Sequence, residues 1–110
     1  VSTQIPCDAD GVPIPALRLK PGGGHALAVT AASGRIGPFD PETCVVTVFA
    51  TGPVLLRSGA ATVTAAAGDH FFPEGVYATL SLGGAKNGRH THLAAVRATA
   101  DCLLYVSEME

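Results

Sequence analysis

Residues 68–108, GDHFFPEGVYATLSLGGAKNGRHTHLAAVRATADCLLYVSE, decide how the chain is read. Within them Val76-Tyr77-Ala78-Thr79-Leu80-Ser81-Leu82 alternates without a break. In an extended strand this places Val76, Ala78, Leu80 and Leu82 on one face and Tyr77, Thr79 and Ser81 on the other. Such alternation describes a strand with one face in a core and one turned to solvent or a partner. The runs His92 to Ala98 and Cys102 to Ser107 repeat the short apolar pattern, separated by a turn at Ala100-Asp101. The same stretch also holds three of the four histidines, so it carries both the fold signal and the candidate chemistry.

Working outward, Cys44 to Ala50 is rich in β-branched residues and apolar on both faces, as expected of a central strand. Gly52-Pro53 then turns the chain into Val54-Leu55-Leu56-Arg57, expected as its hairpin partner. Further segments run from Leu17 to Lys20 and from His25 to Ala31, divided by Pro21-Gly22-Gly23-Gly24. Thr62, Val63, Thr64 and the neighbouring glycines favour strand or loop over helix in Ala60 to Ala67. About eight short strands at roughly 8–12-residue spacing predict an all-β, antiparallel β-sandwich of jelly-roll type. Residues 1–15, with Pro6, Pro13 and Pro15 around Asp8-Ala9-Asp10-Gly11, fit neither helix nor alternating strand and are expected to form an extended N-terminal arm. Residues 16–110 are expected to form the single sandwich domain.

Composition narrows the function classes. At 110 residues the chain fits one domain, and 47% apolar against 15% charged residues excludes disorder by composition. So few charges leave a surface suited to cover by a partner. The net charge of −2 and the scattered Lys and Arg give no basic stripe, so nucleic acid is not an expected partner. No apolar run approaches the roughly 18 residues of a bilayer span, and VSTQIPCDADG has neither the basic nor the apolar region of a signal peptide. The expectation is a soluble chain made in a cytoplasm with no membrane partner. Cys7, Cys44 and Cys102 are widely spaced, with no CxxC, and indicate neither a disulfide nor a zinc framework; Cys44 and Cys102 each open an apolar run and read as small buried hydrophobes.

The candidate metal ligands are His90 and His92, with His70 as a further possibility beside Asp69 and Glu74. Gly84-x5-His90-x-His92 has the spacing of the first half of a cupin metal motif, and residues i and i+2 of a strand point the same way. The glutamate that would follow is replaced by Val96 and Arg97, and a guanidinium there repels a divalent cation. The eighteen residues after His92 include no further histidine. Asp69-His70 lacks a serine in a G-x-S-x-G elbow, so no nucleophilic triad is indicated. The glycine pairs lack the helix and Lys-Ser/Thr of a phosphate loop. No enzyme and no cofactor are expected. Asp69 reads as a loop-holding residue and Pro73-Glu74-Gly75 as a β-turn.

Taken together, the Asp69 to Tyr77 loop, the Leu82-Gly83-Gly84 turn, His92 to Ala98 and the closing Leu104 to Glu108 resemble a group of small proteins of tailed bacteriophages and prophages that lie among virion structural genes. The resemblance covers most of the chain after Ala16 and is strongest from Gly68 onward. It implies a structural virion component, similar to the cement or decoration proteins that stabilise phage heads. The expected partner is then the major capsid protein, the expected location the outer surface of the capsid after synthesis in the host cytoplasm, and the expected state a homo-oligomer, dimer or trimer. A neck or tail structural protein, or a cupin-like metal- or small-molecule-binding domain using His90 and His92, are the alternatives. The residues expected at interfaces are Val1, Ile5, Pro6 and Pro13 on the arm, with Phe71, Phe72 and Tyr77 on the domain.

Overall fold

The structure is a computed structural model that describes residues 9–10, 17–84 and 88–110. The arm expected over 1–15 therefore lies outside the described residues apart from Ala9 and Asp10, as do Val1, Ile5, Pro6, Pro13 and Cys7. Eight strands follow in chain order: β1 (Leu19–Val29), β2 (Gly34–Ile36), β3 (Val45–Ala50), β4 (Val54–Gly59), β5 (His70–Phe72), β6 (Ala78–Ser81), β7 (His92–Arg97) and β8 (Cys102–Met109). There is no helix among the described residues, so none long and apolar enough to cross a membrane.

The strands form two antiparallel sheets of four, β1-β8-β3-β6 and β2-β7-β4-β5. Their facing sides share one core in a sandwich-like arrangement. Val46, Val48, Leu104 and Val106 enter it from the first sheet, and Ile36, Val54, Leu56, Leu93 and Ala95 from the second. Alternation fixes which residues these are. In β3 every second residue is buried, and in β8 Leu104, Val106 and Glu108 point inward while Leu103 and Tyr105 point out. The expected alternation around Ala78 to Leu82 holds, with Leu82 fully buried, but Val76 is exposed because the strand begins only at Ala78.

Three local expectations give way to the tertiary arrangement. β4 is not the hairpin partner of β3. Gly52-Pro53 carries the chain from one sheet to the other, since β3 is already flanked by β8 and β6 and has no free edge to offer. The Pro21 to Gly24 break does not divide two strands but is a register shift within β1, between Leu19 and Gly24 of its ladder with β8. A Cβ on Gly23 would lie 2.9 Å from the Cβ of Glu108, so only glycine lets the backbone pass so close to that side chain. Ala60 to Ala67 is loop, whereas His70 to Phe72, read as loop, forms the short edge strand β5.

Candidate functional site

The outer face of the first sheet carries the principal surface feature. Register places Ala26, Tyr105 and Phe49 side by side across β1, β8 and β3, with Ala28 beside Leu103 one step along. Tyr77, just before β6, packs its ring on Phe49 with centroids 4.7 Å apart. Tyr77 is 74% exposed, Tyr105 43% and Leu103 40%, so the aromatic row is open to solvent. Its neighbours in the ladders are Thr47, Thr79 and Ser107, and no charged side chain stands among them. An uncharged face rich in tyrosine and phenylalanine has the composition of a protein-binding surface. The turn that presents Tyr77 is built as expected. Gly75 takes a positive φ of 71°, and its N–H donates to Ala50 O at 2.9 Å, tying the turn to the end of β3.

Of the other two domain residues expected at interfaces, Phe71 is 59% exposed on β5, while Phe72 is half-buried and packs against the core. Phe71 thus belongs to the second sheet, remote in topology from the Phe49–Tyr77 pair.

The histidines separate. His90 lies in the connection before β7, where its Nδ1 is 2.7 Å from Ser58 Oγ at the end of β4. His92 opens β7, with Nδ1 2.7 Å from Thr91 Oγ1 and its ring against Gly37. His70 stands on β5 and, with His90, lines a polar cleft of about 810 Å³ together with Arg57, Ser58 and Asp69. The fold therefore gathers His70 and His90, not His90 and His92. No cluster of three or more His, Cys, Asp or Glu able to hold a metal occurs among the described residues. Asp69 performs the loop-holding task read for it: its Oδ2 accepts from Ala66 N at 2.7 Å and its N–H donates to Ala66 O at 3.0 Å.

A second polar cluster escaped the sequence reading. Glu108, 4% exposed, occupies a core-facing position of β8. Its Oε1 accepts from Thr43 Oγ1 at 2.6 Å and from Asp40 N at 2.9 Å, while Oε2 is 2.7 Å from His25 Nε2 on β1. Arg89 donates to the carbonyl oxygens of Asp40 and Thr43, closing the connection between β2 and β3 from the other side. Burial pushes the Glu108 carboxyl upward, but the bonds from Thr43, His25 and Asp40 outweigh it and hold the pKa below the usual carboxylate range. The available signal was phase: Leu104, Val106 and Glu108 share one side of an alternating strand, which puts a carboxylate where the core should be. The cluster ties β1, β8 and the 37–44 connection together and is structural.

Cys44 and Cys102 are free thiols, both half-buried. Burial pushes the Cys102 thiol up, which disfavours the nucleophilic thiolate.

No protein family, no curated protein and no solved structure matches the chain in comparisons of its sequence and structure.

Proposed function

We propose that the protein is a structural component of a tailed-phage virion: a head decoration protein that binds the major capsid protein lattice from outside and stabilises the head. The observation that carries this reading is the uncharged, aromatic outer face of β1-β8-β3-β6, centred on Phe49, Tyr77, Leu103 and Tyr105. A face of that kind gains by leaving water, and repetition on a lattice multiplies a modest affinity per copy. The strand order supports a jelly roll as the finer fold, because β1-β8-β3-β6 opposed to β2-β7-β4-β5 is the order of two interlocked Greek keys. In this reading the domain is not an enzyme, acts as a dimer or trimer, and uses the 1–15 arm, with Val1, Ile5, Pro6 and Pro13, to reach a neighbouring subunit.

The test is quantitative mass analysis of purified particles together with head binding by a Tyr105→Glu variant. A copy number matching the capsid lattice, and loss of binding by the variant, are expected. A copy number matching a neck or tail ring sinks the head assignment, and undiminished binding by Tyr105→Glu sinks the assignment of the face.

A further inference from the structure

Each sheet of the sandwich ends in two edge strands, and three of the four are guarded against pairing with another chain. β1 carries Lys20, Pro21 and the register shift, and lies against β2. β2 has three residues, with Arg35 at its centre and Pro38 just beyond. β5 also has three and is closed by Pro73. β6 has none of these devices: from Gly75 to Gly84 the chain holds no charged residue and no proline.

The main chain of β6 is phased for a neighbour. Leu82 N–H donates to Cys44 O at 2.7 Å, one step past the Val45–Ser81 pair of the β3–β6 ladder. An antiparallel ladder alternates from residue to residue, so Leu80 and Ala78 turn their N–H and C=O groups toward β3 while Thr79 and Ser81 turn theirs to the open side. Nothing among the described residues pairs with β6 on that side. Leu80 lies between these two residues, half-buried, with its side chain packed on the core, and it lines a hollow of about 440 Å³ with Leu56, Leu82 and Leu93. The open edge thus combines main-chain donors and acceptors that lack a strand with apolar surface that water still reaches.

We infer that β6 is a dimer seam, pairing antiparallel with β6 of a second copy about a two-fold axis at Leu80. The outward-turned residues stand symmetrically on either side of Leu80, so the same strand reversed meets donor with acceptor at both: Thr79 faces Ser81 of the second copy, and Ser81 faces its Thr79. Leu80 then falls on the axis as a non-hydrogen-bonded pair, the closer of the two pair types, and meets its own counterpart on the core side. Because the edge is uncharged, the two-fold sets no like charges against each other. The seam joins two four-stranded sheets into one of eight and closes at two copies. It leaves the outer face of β8 and β3 open, so the seam and the proposed attachment to a head can fail independently.

The experiment is sedimentation equilibrium of the full chain from about 5 to about 500 µM, a range that spans the affinities of small interfaces. A reversible monomer–dimer equilibrium is expected. Thr79→Pro removes an outward N–H while leaving the bonds to β3, and is expected to weaken the dimer at least about tenfold. Charge tests the register. Thr79→Lys with Ser81→Lys sets lysine opposite lysine at both paired positions and is expected to weaken the dimer about tenfold, whereas Thr79→Lys with Ser81→Glu sets lysine opposite glutamate and restores it. Both side chains are exposed, so neither pair of substitutions touches the core. A chain that stays monomeric to about 500 µM overturns the seam, and so does one that assembles as a trimer. A dimer unchanged by Thr79→Pro overturns it as well. If the lysine–glutamate pair of substitutions dimerises no better than the lysine–lysine pair, the two-fold at Leu80 is wrong.

Discussion

Glu108 shows how a single residue can hold three parts of the fold. Its carboxylate receives Thr43, Asp40 and His25 in a place that would otherwise be apolar, and removing it strands buried donors. Glu108→Ala is expected to cost about 2–3 kcal/mol, the scale of leaving buried polar groups unpaired. The pH dependence has a definite sign. The folded-state pKa is depressed, so the stabilisation is present above the unfolded carboxylate value of about 4.3 and is lost as pH falls through the folded value. Urea unfolding of wild type and Glu108→Gln at about pH 7 and about pH 3 should show a gap that shrinks in acid. A gap of equal size at both pH values would contradict the assigned role.

At the scale of elements, β8 tests the division between core and surface within one strand. Leu104 is fully buried between the sheets, while its neighbour Leu103 is 40% exposed on the outer face. Leu104→Ala is expected to lower stability by about 3 kcal/mol, seen as a fall in the urea midpoint at unchanged slope. Leu103→Ala should cost less than about 1 kcal/mol. Equal costs would mean that the facing of β8 is wrong. The strand most legible in the sequence was β6, because a period of two names a buried face without reference to any neighbour, while β3 and β8 were legible as short apolar runs whose buried face the sequence left open. Short β2 and β5 were missed for the same reason: three residues are too few to show a period. The β3–β4 hairpin was wrongly expected because Gly52-Pro53 specifies a change of direction and nothing about which sheet receives the next strand.

For the molecule as a whole, the core among the described residues begins at Leu27, within β1. With residues 1–15 read from the sequence as an arm outside the domain, their removal is expected to leave the thermal unfolding transition within a few degrees of the full chain while abolishing attachment to heads. Deletion protein that binds heads as well as the full chain would remove the arm from the proposed interface. Of the candidate surface, Tyr77 was legible from the outward phase of its alternating segment, and Phe71 only as an aromatic residue of a loop, indistinguishable there from Phe72. The pairing of Tyr77 with Phe49, and the row they make with Tyr105, depends on strands far apart in sequence.

The sequence by itself determined that this is an all-β chain with one apolar core, because strand periodicity and turn residues are local properties carried by each segment alone. It also determined the Gly75 turn and the loop-holding role of Asp69. Only the tertiary structure decided which strands are neighbours, that His70 rather than His92 joins His90, and that Glu108 is enclosed by donors from two other segments. Those outcomes rest on register and sheet order, which are set by the packing of distant strands against one another and leave no mark within any one of them.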